Sequence, residues 1–145
     1  MTIPQNPLTE PAARILVVDD DPVIVQFVCA QLATAGHDAQ GVSTPQGALE
    51  HCQRGTPFDL VISDVRMPGM TGFQLARLVR QHDPQARFVF ISSHAANSGD
   101  PLLAEFDLVS KPFAAPILMQ AVRRALASKT GDRRPPEPTS KGSTS

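Results

Sequence analysis

Residues 14–22 read RILVVDDDP, and this stretch decides the fold. Arg14-Ile-Leu-Val-Val18 is an apolar run of strand length without polar alternation, the pattern of a parallel strand covered on both faces. The carboxylates Asp19, Asp20 and Asp21 follow it directly. Asp21-Pro22 then joins a good N-cap to a residue preorganised for the first helical position. Ile24, Val28 and Leu32 share one face of the helix that follows, and Gly36 supplies its stop. A buried strand, an acidic turn and an amphipathic helix therefore stand in that order.

The same alternation continues outward. A weak strand is expected near Ala39 to Val42, and Thr44-Pro45 opens a second helix reaching about Arg54. FDLVIS, from Phe58 to Ser63, reads as a third strand. Thr71-Gly-Phe-Gln74 is a capping-box pattern that starts a helix through about Gln81, with Leu75, Leu78 and Val79 on one face. Arg87-Phe-Val-Phe-Ile91 is a fourth strand and Asp107 to Ser110 a short fifth. Ile117 to Ala127 is a closing amphipathic helix, with Arg123 and Arg124 near the end where cations suit the helix dipole. Strands alternating with helices imply an α/β fold, a doubly wound parallel sheet of five strands in the order 2-1-3-4-5, covered on both faces.

The 145 residues suit one domain with ragged ends, and 41% are hydrophobic, enough for a core. Residues 1–13 hold three prolines and read as a flexible leader. Residues 128–145, SKTGDRRPPEPTSKGSTS, lack any large apolar side chain and are expected to be a disordered, weakly basic tail, either a tether or a docking segment. The formal net charge of -1 gives no reason to expect direct nucleic-acid binding. No apolar run approaches the roughly 18 residues of a membrane span, and the N-terminus lacks a signal-peptide core, so a cytoplasmic protein is expected. Cys29 and Cys52 have no CxxC spacing and read as free thiols. His37, His51, His82 and His94 show no metal-ligand spacing.

The polar residues fall at strand ends. Asp19 to Asp21 follow the first strand, Asp64 the third, Ser92 and Ser93 the fourth, and Lys111 the fifth. In an open parallel sheet these ends flank the crevice where ligands bind. Asp21 is accounted for as a helix cap, and any of the others alone would pass as a turn residue. Together they place several carboxylates in one crevice. Like charges at 4 Å repel by about 4 kcal/mol at an effective dielectric of 20, so a proton or a cation must sit among them. Hard carboxylate oxygens favour Mg2+. A carboxylate can itself be a nucleophile toward phosphorus, while Lys111 and Ser92 would serve the phosphoryl oxygens.

ILVVDDDP (15–22), DLVISDVRMPGMTG (59–72), FVFISS (88–93) and SKPF (110–113) resemble the receiver domain of bacterial two-component response regulators, chemotaxis-regulator-like and flavodoxin-like in architecture. The resemblance covers residues 14–127. It implies that Asp64 is the phosphoacceptor. Asp19 and Asp20 would be the acidic pair holding Mg2+, Asp20 more directly, with Asp64 and the main-chain carbonyl of Arg66 as further metal ligands. Lys111 would contact the phosphoryl group across a cis bond to Pro112, and Ser92 would be the switch hydroxyl. The donor would be a sensor histidine kinase or a histidine phosphotransfer protein. The chain would act as a single-domain switch of protein contacts, or a phosphorelay member, catalysing only its own phosphorylation and dephosphorylation. It would have no membrane partner and be a monomer or weak dimer.

The sequence also departs from the family. Leu108 stands where the switch aromatic is usual, and the Ser92–Lys111 span is short, with Gly99 and Pro101 in its middle, so the fourth helix should be short, displaced or mobile. Arg66 and His94 occupy positions that tune phosphoryl lifetime in the family, and their bulk should slow hydrolysis. Two other functions compete. A phosphorylation-independent interaction module with a degenerate receiver site would fit the departures but not the complete set Asp19, Asp20, Asp64, Ser92 and Lys111. A flavin-binding enzyme of the same architecture would need a hydroxyl- and glycine-rich phosphate loop where this chain has DDDP.

Overall fold

The computed structural model describes residues 12–54, 57–93 and 99–132, with side chains through residue 127. Its strands are β1 (Arg14–Val18), β2 (Asp38–Val42), β3 (Leu60–Asp64), β4 (Phe88–Ser92) and β5 (Leu108–Ser110). Its helices are α1 (Pro22–Thr34), α2 (Pro45–Gln53), α3 (Gly72–His82) and α4 (Ala115–Asp132). The strands are all parallel, in the order β2-β1-β3-β4-β5, so β1 and β3 adjoin at the point where the order reverses. In register, Val18 lies opposite Ser63 and Asp64 opposite Ile91, which brings the acidic strand ends to one edge.

Alternation along the strands explains the unbroken apolar runs. Ile15, Val17, Leu60, Ile62, Val89 and Ile91 pack with Val28 and Leu32 of α1 and Leu118 and Val122 of α4. Leu16, Val18, Val61, Phe88 and Phe90 pack with Ala48 of α2 and Phe73, Leu75 and Val79 of α3. Both faces of each central strand are thus buried, and burial at about 25 cal/mol per Å2 of apolar surface makes these layers the main driving force.

The helices begin where the caps are. Asp21 accepts the Val23 amide at 3.0 Å, and Thr44 accepts the Gly47 amide at 3.0 Å. The Thr71–Gln74 capping box is complete, at 3.1 and 2.8 Å. Gly36 follows α1 with φ +94°, a conformation that glycine adopts without a Cβ penalty.

Several boundaries differ from expectation. Phe58 lies before β3, not in it; it is buried with the Arg14 guanidinium over its ring at 4.5 Å. The last helix runs on to Asp132, so residues 128–132, expected in the tail, are helical. Among the described residues between β4 and β5, Pro101–Ala104 form a 3-10 turn capped by Asp100. Pro101 stands at its first position, where a missing amide hydrogen costs nothing; residues 94–98 of the expected short or displaced helix lie outside the described residues. Arg77 of α3 pairs with Asp100 at 2.6 Å and Arg80 with Glu105 at 2.9 Å, which ties this connection to α3. Leu108 is half-buried against the α3-side core, while Phe106, two residues earlier, is buried with its ring 6.0 Å from Phe88 and 6.3 Å from Phe90. The leader up to residue 11, His94 and residues 133–145 lie outside the described residues.

Candidate functional site

At the end of β1 the chain turns into α1, and the turn is locked by the first carboxylate. Asp19 is 1% exposed and its Oδ1 accepts the Asp21 amide at 2.9 Å. Its Oδ2 is buried without a well-aligned hydrogen bond and faces Lys111 Nζ at 3.0 Å. Lys111 Nζ is also 3.4 Å from Asp64 Oδ2. Asp64 ends β3, is 6% exposed, and its carboxylate accepts the Arg66 amide. Asp20 is exposed beside them, and one oxygen from each of Asp19, Asp20 and Asp64 lies within 4.8 Å of the others.

Asp19 and Asp64 share the Lys111 ammonium and Asp20 clusters with them, so three carboxylates face one paired cation and the site is short of positive charge. Burial and the Asp19 charge push the Asp64 carboxyl above its ordinary range, against the pull of Lys111 and the Arg66 amide. Burial alone would lower Lys111, but its close contact with Asp19 and the charges of both carboxylates hold it above the usual lysine range. The donor set suits a hard divalent cation: all oxygens, a net charge two short of neutrality, and one buried oxygen, Asp19 Oδ2, still open to a better-aligned partner.

The residues expected from the sequence mostly meet. Asp19, Asp20, Asp64 and Lys111 converge, and the Lys111–Pro112 bond is cis. Ser92 is buried at the end of β4, and its carbonyl accepts the Lys111 amide at 2.9 Å, which links it to the site through the backbone. Arg66 is exposed at the rim. Asp21 is a cap, as its Pro22 neighbour signals. Sequence reasoning missed the Arg66 amide as a ligand of Asp64, and it missed Ser63, whose buried hydroxyl donates to the Asp64 carbonyl at 2.9 Å. A serine inside an otherwise apolar strand was the available signal.

Beside Lys111 the surface turns apolar. Ile24, Phe27, Pro112 and Phe113 line a shallow cavity with Lys111 and Ser93, and the Phe27 and Phe113 rings stand 6.1 Å apart. Phe27 is 40% exposed, and Val23 and Ile117 are exposed as well. No helix among the described residues is long and apolar enough to cross a membrane.

Comparison with known proteins places this geometry. The response regulator receiver domain family matches residues 15–123. The chain is 34% identical over 116 residues to the response regulator protein FleR of Pseudomonas aeruginosa, covering 78% of this chain but 24% of FleR. It is 31% identical over 116 residues to the receiver protein CpdR of Brucella abortus, covering 78% of this chain and 96% of CpdR. A solved structure of the response regulator TrrA from Thermotoga maritima, in complex with Mg2+-BeF, superposes with a TM-score of 0.71 at 30% identity, covering 78% of this chain and 98% of that one. The chain thus spans about a quarter of one of these relatives and nearly all of another. With the sheet order, the acidic cluster and the lysine in place, the chain belongs to the response regulator receiver domain family.

Proposed function

We propose that this chain is a phosphorylation switch that takes a phosphoryl group onto Asp64 from a phosphohistidine on a sensor histidine kinase or phosphotransfer protein. The observation that carries the reading is the placement of Lys111 Nζ 3.0 Å from Asp19 and 3.4 Å from Asp64, inside a cluster of three carboxylates. In the transfer, an Asp64 carboxylate oxygen forms a bond to phosphorus. The P–N bond of the donor breaks, its electron pair goes to the imidazole, and a proton from solvent restores neutral histidine. The product is an acyl phosphate.

Asp19, Asp20 and Asp64 with the main-chain carbonyl of Arg66 would hold Mg2+, which when bound neutralises charge on the phosphoryl oxygens. Asp20 is the exposed member, while Asp19 is already engaged by the Asp21 amide and Lys111, so Asp20 is the more open ligand. Lys111 stabilises the transferred group as a point charge. Ser92, one strand over, supplies a hydroxyl that responds to it. The apolar surface at Phe27 and Phe113 beside Lys111 supports docking of a donor protein. The chain turns over only its own phosphoryl group, and its output is a change in protein contacts or onward relay. The exposed Arg66 side chain shields the acyl phosphate, so Arg66→Ala should shorten its lifetime.

Intact mass after treatment with acetyl phosphate and Mg2+ tests the reading. One added phosphoryl group on the wild type and none on Asp64→Ala is expected. An Asp64→Asn variant that binds its partners as the phosphorylated protein does would instead favour a phosphorylation-independent module.

A further inference from the structure

We infer that Ser63 is a positioning residue for Asp64: its buried hydroxyl sets the direction in which the chain leaves β3, and with it the stance of the acceptor carboxylate. The inference rests on the phosphoryl-acceptor reading and adds to the site a residue that touches neither metal nor phosphate.

Ser63 is fully buried and lies in register between Val18 of β1 and Phe90 of β4. Its neighbours on that face of the sheet, Val18, Val61 and Phe90, are apolar. A hydroxyl in such a layer is unfavourable unless it is hydrogen-bonded. Here it donates to the main-chain carbonyl of Asp64 at 2.9 Å. The first residue of α3 lies directly on this pair. A Cβ on Gly72 would stand 2.4 Å from the Asp64 carbonyl oxygen and 2.9 Å from Ser63 Oγ, so only glycine lets α3 approach this closely.

The next peptide is held by the same corner. The Gly72 amide donates to the Val65 carbonyl at 2.8 Å, and the Val65 amide donates to Ile91 at 2.9 Å. Two successive carbonyls, of Asp64 and Val65, are thus fixed by Ser63 and Gly72. The amide that follows, of Arg66, is the one that bonds the Asp64 carboxylate. Losing the Ser63 bond leaves the Asp64–Val65 peptide held only by its Val65 amide to Ile91, so its carbonyl end can tilt and carry the Asp64 carboxylate and the Arg66 main chain with it. Alanine at 63 would fill most of the same space but would free the carbonyl.

The test uses the full chain as wild type, Ser63→Ala, Ser63→Cys and Ser63→Thr. Mg2+ affinity is read by titration calorimetry, kcat and KM with acetyl phosphate, and folding by thermal melting. Ser63→Ala should weaken Mg2+ binding and lower kcat each by about three- to tenfold, the factor equivalent to one net hydrogen bond. Ser63→Cys keeps the side-chain shape with a somewhat larger atom but donates weakly, and should follow alanine. Ser63→Thr keeps the hydroxyl and should stay within about twofold of wild type. Wild-type affinity and kcat in Ser63→Ala or Ser63→Cys, whatever their melting, would overturn the inference, as would a folded Ser63→Thr that loses as much as alanine. A wild type that neither binds Mg2+ nor is phosphorylated would instead sink the acceptor reading itself.

Discussion

Replacing Lys111 by methionine removes the ammonium that Asp19 and Asp64 share while keeping a long apolar stem. The Nζ distances of 3.0 and 3.4 Å correspond to gross attractions of about 5.5 and about 5 kcal/mol at an effective dielectric of 20. Most of this is offset by the desolvation of the same charges, and the Lys111 side chain is 20% exposed, so solvent screens it further. Breaking a buried pair by removing one partner costs about 3–5 kcal/mol, and partial exposure puts this one at about 3 kcal/mol. The loss is largest without divalent ions, because the three clustered carboxylates then have no cation among them. Urea denaturation at neutral pH, with and without Mg2+, measures it. Lys111→Met should be about 3 kcal/mol less stable than wild type in EDTA, and saturating Mg2+ should stabilise the variant more than the wild type, since binding to a more negative site shifts folding by mass action. In a double-mutant cycle, Asp64→Asn should recover part of the Lys111→Met loss. Equal stability of variant and wild type in EDTA, or Mg2+ stabilising the wild type more, would refute the charge balance drawn for the site.

Three further outcomes are expected. Phe106→Ala empties a buried position against Phe88 and Phe90 and should cost about 3 kcal/mol in urea unfolding, whereas an effect near zero would mean that the β4–β5 connection packs elsewhere. Partial burial works against ionisation of Asp100, but the Arg77 ion pair and the Leu102 amide outweigh it and hold its carboxyl below the usual range. Its contribution to stability is therefore complete above the unfolded-state value and is lost as pH falls through the lower folded value; Asp100→Asn should flatten that part of the acid limb, measured by melting temperature against pH. Burial, with the Asp83 charge adding to it, pushes the Cys52 thiol up to about 11, so iodoacetamide at mildly alkaline pH should modify it far more slowly than an unfolded control, and Asp83→Asn should speed the reaction.

The sequence by itself determined what short-range chemistry encodes. Unbroken apolar runs placed the inner strands, and Asp21-Pro22, Thr44-Pro45 and the Thr71–Gln74 box placed the helix starts, because a cap or a periodic face is complete within a few residues. The carboxylates at strand ends were visible for the same reason, once parallel strands were accepted. Tertiary structure alone decided how the ends meet: that Asp19 and Asp64 close on a single ammonium, that Ser63 holds the Asp64 carbonyl and Gly72 the Val65 carbonyl, and that the 3-10 turn Pro101–Ala104 before β5 is pinned by Arg77 and Arg80 with Phe106 in the core. These contacts join residues far apart in the chain, such as Arg77 with Asp100 across 23 positions and Arg80 with Glu105 across 25. Each is worth little by itself in water, and its partner is chosen by the packing of sheet on helix, which no local pattern along the chain records.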